Sequence, residues 1–337
     1  MLIPILLLLV GFAILIKGAD FLVNGASSAA KKNGISNLAI GLTVVAFGTS
    51  MPELIVSLFS AIEGKNDASF GNIIGSNNFN LLFILGIAGL IYPLVVQRNT
   101  VKYEVPLSLL AAIILFVLVN DTLLWGTPAF QEGGKTYDGI LSRLDSIILL
   151  LFFGMFIMYI YRTMRNASDL DEGEPIKLYS TPLSIGMILV GLLMLIGGGK
   201  LVVDNAIEIA RGYGLSEKLI GLTILAAGTS LPELATSCVA AYRRNTDIAI
   251  GNVVGSNIFN VFFILGITGI VHPIPYNMAL NFDIQVLVAS TILLMIFMFT
   301  LNSRKLDRWE AFLLLAAYMA YTAYLVSTDT GAAPANP

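Results

Sequence analysis

The chain has 337 residues, 56% of them hydrophobic and 12% charged, with a formal net charge of −3. A soluble domain carries about 25% charged residues, so most of this chain does not fold in water. Nearly all the basic residues lie in short loops, which excludes a nucleic-acid partner, and the single cysteine excludes an internal disulfide. We therefore expect an integral membrane protein in contact with lipid.

The apolar residues form blocks of about 20 residues, the length that a helix needs to cross the hydrocarbon core. Each block is predicted to be one transmembrane helix, in the order Ile3 to Ser28, Leu38 to Ile62, Ala68 to Tyr92, Val105 to Val119, Ile140 to Tyr161, Pro182 to Ala210, Leu219 to Tyr242, Ile248 to Val271, Ile284 to Leu301 and Trp309 to Val326. The chain then divides into a five-helix unit at 1–161, a polar cytoplasmic linker at 162–181, a second five-helix unit at 182–326 and a polar tail at 327–337. The expected fold is all-α, with ten transmembrane helices.

The two units are copies of one sequence. A shift of 180 residues aligns Ile40–Pro93 with Ile220–Pro273 without a gap, and 28 of the 54 aligned positions are identical. The polar residues match as well as the apolar ones, which chance similarity between apolar segments would not produce. The matching motifs are G-T-S-M-P-E at 48–53 with G-T-S-L-P-E at 228–233, and G-N-I-I-G-S-N-N-F-N at 71–80 with G-N-V-V-G-S-N-I-F-N at 251–260.

An odd number of helices in each copy makes the second copy start on the opposite side of the membrane, which predicts an inverted repeat. The basic residues in the loops test this layout, because they favour the cytoplasmic side. With both termini outside, the inner loops hold twelve Lys and Arg residues and the outer side holds five. We therefore expect a multi-pass protein of the cell membrane with both termini extracellular.

Two carboxylates, Glu53 and Glu233, fall near the middle of apolar helices. An unpaired charge there costs at least about 2.5 kcal/mol, and no Lys or Arg lies within one helical turn of either glutamate in its motif. A mobile cation is the natural partner. Pro52 and Pro232 precede the glutamates, and each proline is expected to kink its helix and to free a carbonyl oxygen. At membrane depth such an oxygen is tolerated if it lines a cavity or binds an ion.

Helical spacing brings more oxygen atoms to the same faces. Hydroxyl and amide oxygens with no accompanying histidine or thiolate favour Na⁺ and Ca²⁺ over zinc or copper. Two glutamates, one from each copy, bring a charge of −2 that matches one Ca²⁺ or a set of monovalent ions. The candidate ligands beside the glutamates are Thr49, Ser50, Ser76 and Asn80 in the first copy and Thr229, Ser230, Ser256 and Asn260 in the second.

Both motif blocks resemble the α-repeats of the cation/calcium exchanger superfamily, and the pairing of G-T-S-x-P-E with G-S-N-x-F-N is most similar to prokaryotic Na⁺/Ca²⁺ exchangers. The resemblance covers essentially the whole chain. It implies that Glu53 and Glu233 are shared ligands for Ca²⁺ and Na⁺, and it adds the carbonyls of Ala46 and Ala226 to the site. It also implies that the first and sixth helices move against a fixed core. Some family members have an aspartate where this chain has Asn260, so one titratable group is absent here.

The sequence thus predicts a secondary active antiporter that exchanges Ca²⁺ for Na⁺ by alternating access, needs no cofactor and functions as a monomer. Two other functions remain open: a Ca²⁺/H⁺ exchanger of the same fold and a passive cation channel. An intramembrane enzyme is excluded, because the chain has no nucleophile paired with a histidine base; its single histidine, His272, lies at a helix edge.

Overall fold

The computed structural model describes residues 2–132, 135–163, 177–212, 226–300 and 304–330. Most of the predicted linker 162–181, the end of the predicted tail 327–337, and the start of the predicted helix Leu219 to Tyr242 lie outside these residues.

Helices make up most of the described chain, and very short strands connect some of their ends. The helices are α1 (Leu2–Lys32), α2 (Asn37–Thr49), α3 (Met51–Ile62), α4 (Asn66–Ile91), α5 (Thr100–Val119), α6 (Arg143–Thr163), α7 (Thr181–Gly212), α8 (Ala226–Gly228), α9 (Leu231–Tyr242), α10 (Thr246–Val271), α11 (Asn281–Phe297) and α12 (Arg308–Thr330), with a one-turn helix at Asp121–Trp125. The strands are β1 (Leu94–Val95), β2 (Phe130–Glu132), β3 (Lys135–Tyr137), β4 (Gly139–Leu141), β5 (Ile274–Tyr276) and β6 (Lys305–Leu306).

Eight described helices are long and apolar enough to cross a membrane, and the number is nine if the bent pair α2 and α3 is counted as one span. The predicted helix Leu219 to Tyr242 is described only from Ala226 onward. The mostly helical, multi-pass class is therefore confirmed, and the count of ten stays a prediction. The predicted helix from Ile140 begins instead at Arg143, because residues 139–141 form β4 and pair with β5.

The motif helices lie at the centre of the molecule. Within an apolar stretch of 18 residues in each helix, the buried share is 78% in α4 and 83% in α10, but only 28% in α1 and 11% in α12. Both central helices contain a π-helical segment, Phe79–Ile84 in α4 and Phe259–Leu265 in α10, and each segment begins one residue before a predicted ligand asparagine. Such π segments often occur at functional sites, because the extra residue turns a side chain out of the regular helical register.

Contacts between the copies occur in matched pairs related by the 180-residue shift. The strand that follows α4 pairs with the strand before α12, and the strand that follows α10 pairs with the strand before α6. In the same way, Gly86 of α4 packs against α12 and its counterpart Gly266 of α10 packs against α6. Each copy therefore closes its central helix against the last helix of the other copy.

The two long helices α1 and α7 pack antiparallel with their backbones in close contact. Gly11, Gly18 and Gly25 lie seven residues apart on α1, so they share one face. A Cβ atom on any of the three would lie within 3.2 Å of a backbone oxygen of α7. Packing of small residues is the usual means by which membrane helices approach this closely. The pair α1 and α7 is therefore one tightly packed unit.

Candidate cation site

A break at the middle of the second predicted span places Glu53 at a helix start. Helices α2 and α3 meet at Ser50 with a bend of 46°, and Pro52 occupies the first turn of α3, as the sequence predicts. Glu53 follows in the same turn, and Glu233 has the equivalent place in the first turn of α9. The positive end of each helix dipole therefore faces its carboxylate, which favours the charged form.

Each glutamate is bound by a serine from the other copy. Ser230 Oγ donates to Glu53 Oε1 at 2.9 Å, and Ser50 Oγ donates to Glu233 Oε1 at 3.0 Å. Ser76 Oγ also approaches Glu53 Oε1, at 3.5 Å. The two carboxylates are fully buried and close enough to act on each other electrostatically. They therefore form one two-carboxylate site shared by both copies.

The second oxygen of each glutamate lacks a hydrogen bond. Within the described chain, neither Glu53 Oε2 nor Glu233 Oε2 accepts a hydrogen bond from any protein group, and both atoms are buried. Buried acceptors are normally paired, because an unpaired one loses its hydration without compensation. Two such oxygens in one site are suited to binding a cation.

Two asparagines outside the predicted ligand set connect the two copies by hydrogen bonds next to the glutamates. Asn72 Nδ2 donates to the backbone oxygen of Glu53 at 3.1 Å, and Asn72 Oδ1 accepts a hydrogen bond from Thr229 at 3.2 Å. The counterpart Asn252 donates to the backbone oxygen of Glu233 at 3.2 Å and accepts from Thr49 at 3.1 Å. The predicted ligands Thr49 and Thr229 thus donate across the copies and support the glutamate backbones.

Four asparagine side chains, Asn77, Asn80, Asn257 and Asn260, form a second layer that we call the amide cluster. Asn80 Nδ2 donates to Asn257 Oδ1 at 3.0 Å, and Asn260 Nδ2 donates to Asn77 Oδ1 at 2.9 Å. Asn77 and Asn257 donate in turn to each other's backbone oxygen, both at 3.3 Å. These bonds fix how all four amides are oriented.

The amide cluster leaves two oxygens free for a cation. Asn80 Oδ1 and Asn260 Oδ1 are buried and accept no hydrogen bond from the described residues, and Ser256 Oγ is likewise without a partner there. Together with the glutamate Oε2 atoms they make a set of hard oxygen donors, the type that Ca²⁺ and Na⁺ prefer. No group of three or more His, Cys, Asp or Glu side chains occurs in the described ranges, so the charge of the site comes from the glutamate pair.

We expect Asn77→Ala to weaken calcium binding, because Asn260 would lose its acceptor and could turn its NH₂ group toward the cation. One unsatisfied buried group costs about 1–3 kcal/mol, so the half-saturating Ca²⁺ concentration should rise about tenfold with the maximal rate little changed. The matched control is Asn78→Ile, because the second copy already carries Ile258 at that position. An unchanged half-saturating concentration in Asn77→Ala would show that the amide cluster does not orient a ligand.

The structure brings most of the predicted ligands together. Glu53, Glu233, Ser50, Ser230 and Ser76 meet at the carboxylates, while Asn80 and Asn260 lie in the amide cluster. The oxygen of Ala46 accepts from Ser50 N at 3.0 Å and lies 3.3 Å from Thr49 Oγ1, so this predicted carbonyl ligand already has two partners. The side chain of Ala226 lies outside the described residues. Four further asparagines of the site were not among the predicted ligands, although the repeated G-N-x-x-G-S-N motif contains them: Asn72, Asn77, Asn252 and Asn257.

A multi-pass helical membrane protein with an oxygen-lined, two-carboxylate site at its centre belongs to the class of ion carriers. The chain is a member of the sodium/calcium exchanger family, whose model, described as sodium/calcium exchanger protein, matches residues 3–162 and 183–327. This family consists of transporters rather than enzymes, and its members carry Ca²⁺ and Na⁺ as transported ions without a cofactor.

Relatives of similar length support the assignment. The chain is 33% identical to the sodium/calcium exchanger MaX1 of Methanosarcina acetivorans, over 95% of this chain and 97% of the relative. It is 36% identical to the inner membrane protein YrbG of Escherichia coli, over 81% of each. Among solved structures, the sodium-calcium exchanger NCX_Mj matches with a TM-score of 0.77 at 32% identity, over 96% of this chain and 98% of that one.

Proposed function

We propose that this protein exchanges Ca²⁺ for Na⁺ by alternating access, with Glu53 and Glu233 as the shared central ligands of both ions. The observation that carries the proposal is the pair of buried Oε2 atoms, one from each copy, that accept no hydrogen bond from the described residues. Cation antiport is the activity of the family, and a solved structure similar to this chain is that of a sodium-calcium exchanger.

The remaining oxygens of the proposed ligand set come from side chains that share the site with the glutamates. Asn80, Asn260 and Ser256 offer unpaired oxygens, and Ser76 lies beside Glu53. Ser50, Ser230, Thr49 and Thr229 contact the glutamates or their supporting asparagines, and the backbone of Ala46 and Ala226 completes the set that we propose from the family resemblance.

Coupling between the two ions follows from the electrostatics of the site. An empty site would present two carboxylates to the low-dielectric interior during the change of side, whereas a site filled with cations is close to neutral. Moving an uncompensated charge pair through the membrane interior is costly. Only the loaded carrier should therefore switch sides readily, so entry of one ion depends on exit of the other.

We further propose ten helices arranged as two inverted five-helix units, 1–161 and 182–326, joined by the linker 162–181 on the cytoplasmic side and followed by the tail 327–337. Paired contacts between the copies support this arrangement, since hydrogen bonds and strand pairs recur under the 180-residue shift. The distribution of basic residues favours extracellular termini in the plasma membrane. All the proposed ligands belong to one chain, so we propose that the protein functions as a monomer, in contact with lipid and without a nucleic-acid partner.

Calcium flux into proteoliposomes with separately imposed Na⁺, K⁺ or H⁺ gradients tests the proposal. We expect uptake to follow an outward Na⁺ gradient and to show counterflow, in which internal Ca²⁺ speeds the entry of labelled Ca²⁺. Uptake driven by a pH gradient without Na⁺ would instead support Ca²⁺/H⁺ exchange. Fast uptake that needs no counter-ion and shows no counterflow would support a passive channel.

A further inference from the structure

Helix α1 is tied to the end of α9 by a group of polar contacts. Arg243 follows the last residue of α9 and forms an ion pair with Asp20 of α1. Arg243 also donates to Asn24 Oδ1 at 3.0 Å, and Asn245 donates to Ser27 Oγ at 3.0 Å. Asp20 and Arg243 are 21% and 35% exposed, so the ion pair is shielded in part from solvent. We call this group the first latch.

The 180-residue shift carries the first latch onto a second set of residues in which the two charges of its ion pair are exchanged in sign. Asp20 and Arg243 correspond to Lys200 on α7 and Glu63 at the end of α3. Asn24 and Asn245 correspond to Asp204 and Lys65. The second set therefore offers one ion pair equivalent to that of the first latch, Lys200 with Glu63. The contact of Arg243 with Asn24 corresponds to Glu63 with Asp204, two like charges, so it has no attractive equivalent. When both charges of an ion pair are reversed, the two residues still attract each other. Reversal of only one charge would replace the attraction with repulsion.

The second set does not make these contacts in the structure. Glu63 instead pairs with Lys65 at 2.7 Å, and the two side chains are 56% and 67% exposed. Lys200 and Asp204 are exposed and form no ion pair with a described residue. The helices differ in the same way, because α1 packs along α9 whereas α7 is in little contact with α3. The two halves of the molecule therefore have equivalent contacts in different states.

We propose that Lys200 and Glu63 form a second latch that closes when the first latch opens, so that each latch holds one access state of the carrier. The inference rests on the proposed alternating access. Because α1 and α7 pack through glycines as one unit, a movement that pulls Asp20 away from Arg243 also moves α7 relative to α3. In an inverted repeat the opposite state is reached by exchanging the conformations of the two copies, and this exchange brings Lys200 to Glu63.

Crosslinking tests whether the two latches exclude each other. The background is Cys238→Ala. One variant carries Asp20→Cys with Arg243→Cys, and the other carries Lys200→Cys with Glu63→Cys. Both are treated with a short bis-methanethiosulfonate reagent, because a Lys or Arg side chain in an ion pair generally holds the two Cα atoms farther apart than a disulfide reaches. We expect either pair to crosslink, and a four-cysteine protein to form one crosslink or the other in each molecule. Molecules with both crosslinks, or no crosslink of the second pair under any cation gradient, would overturn the proposal.

Charge reversal gives a second readout. Lys200→Glu should slow exchange about fivefold, the lower end of typical coupling energies, and Lys200→Glu combined with Glu63→Lys should restore the rate. The control is Lys32→Glu, the same charge change at an exposed position on α1. Failure of the double variant to recover would contradict the second latch. Crosslinking is read by mass spectrometry and does not depend on which cation is exchanged, so it separates this inference from the assignment of Na⁺ as the counter-ion.

Discussion

Sodium-driven calcium uptake is expected to fall at least about a hundredfold in Glu233→Gln, and equally in Glu53→Gln. Each substitution removes half of the charge of the site and replaces one free oxygen with an NH₂ group that repels the cation. A loss of about 2.7 kcal/mol in cation binding corresponds to this factor. The serine bonds to Oε1 can remain, since a glutamine oxygen also accepts them, so the loss reports on the cation rather than on the contact between the copies.

The matched control for these variants is Glu104→Gln. Glu104 is also a buried carboxylate within a membrane helix, but it belongs to α5 and accepts a hydrogen bond from Tyr159 of α6. A glutamine there keeps the acceptor for Tyr159, so transport should stay near the level of the unmodified protein. Near-normal exchange in Glu53→Gln or Glu233→Gln would refute the ligand assignment, and equal loss in Glu104→Gln would make the effect nonspecific.

Gly191→Leu is expected to prevent the normal packing of α1 against α7 and to abolish transport. A Cβ atom at Gly191 would lie 2.7 Å from the backbone nitrogen of Leu22 and 2.8 Å from the oxygen of Gly18. Backbone atoms cannot move aside as a side chain can, so the helices must separate. Overpacking of this kind costs about 1–3 kcal/mol or more, which should lower the Tm in detergent by several degrees.

Gly197→Leu provides the comparison on the same helix. A Cβ atom at Gly197 would meet no atom of the described chain within 4 Å, and the residue is exposed. The added side chain should enter lipid, so both the Tm and the rate of exchange should stay close to those of the unmodified protein. If Gly191→Leu had the same Tm and rate as Gly197→Leu, the close packing of α1 and α7 would be wrong.

The sequence predicted the helical class and the centre of the site because membrane helices follow simple rules. A block of apolar residues spans the bilayer, and a repeated carboxylate inside such a block needs a partner. Pro52 predicted the bend at the site, and the structure confirms a bend of 46° there. Gly251 and Gly255 pack against backbone atoms of α2, as their spacing of four residues favours, whereas a Cβ atom at the equivalent Gly71 or Gly75 would meet no atom of the described residues within 4 Å. Periodicity and motif spacing alone contain this information.

Features that depend on contact between the two copies could not be predicted in this way. The amide cluster needs the distance between Asn77 and Asn260, which no local pattern gives. Strand β4 replaced the predicted start of a helix at Ile140 because its partner β5 lies 133 residues further along the chain, from Leu141 to Ile274. The state of each latch depends on which access conformation the molecule adopts. The corresponding positions of the two latches carry opposite charges in the sequence. This relation can be recognised only once the contacts of one latch are known.

Equilibrium binding of Ca²⁺ to the purified protein tests the central claim most directly. We expect one Ca²⁺ to bind per chain and to be displaced by Na⁺. Binding should be lost in both Glu53→Gln and Glu233→Gln, because the two glutamates belong to one site. Two independent Ca²⁺ sites per chain, each removed by a different glutamine substitution, would contradict it, as would binding that persists at full affinity in either variant.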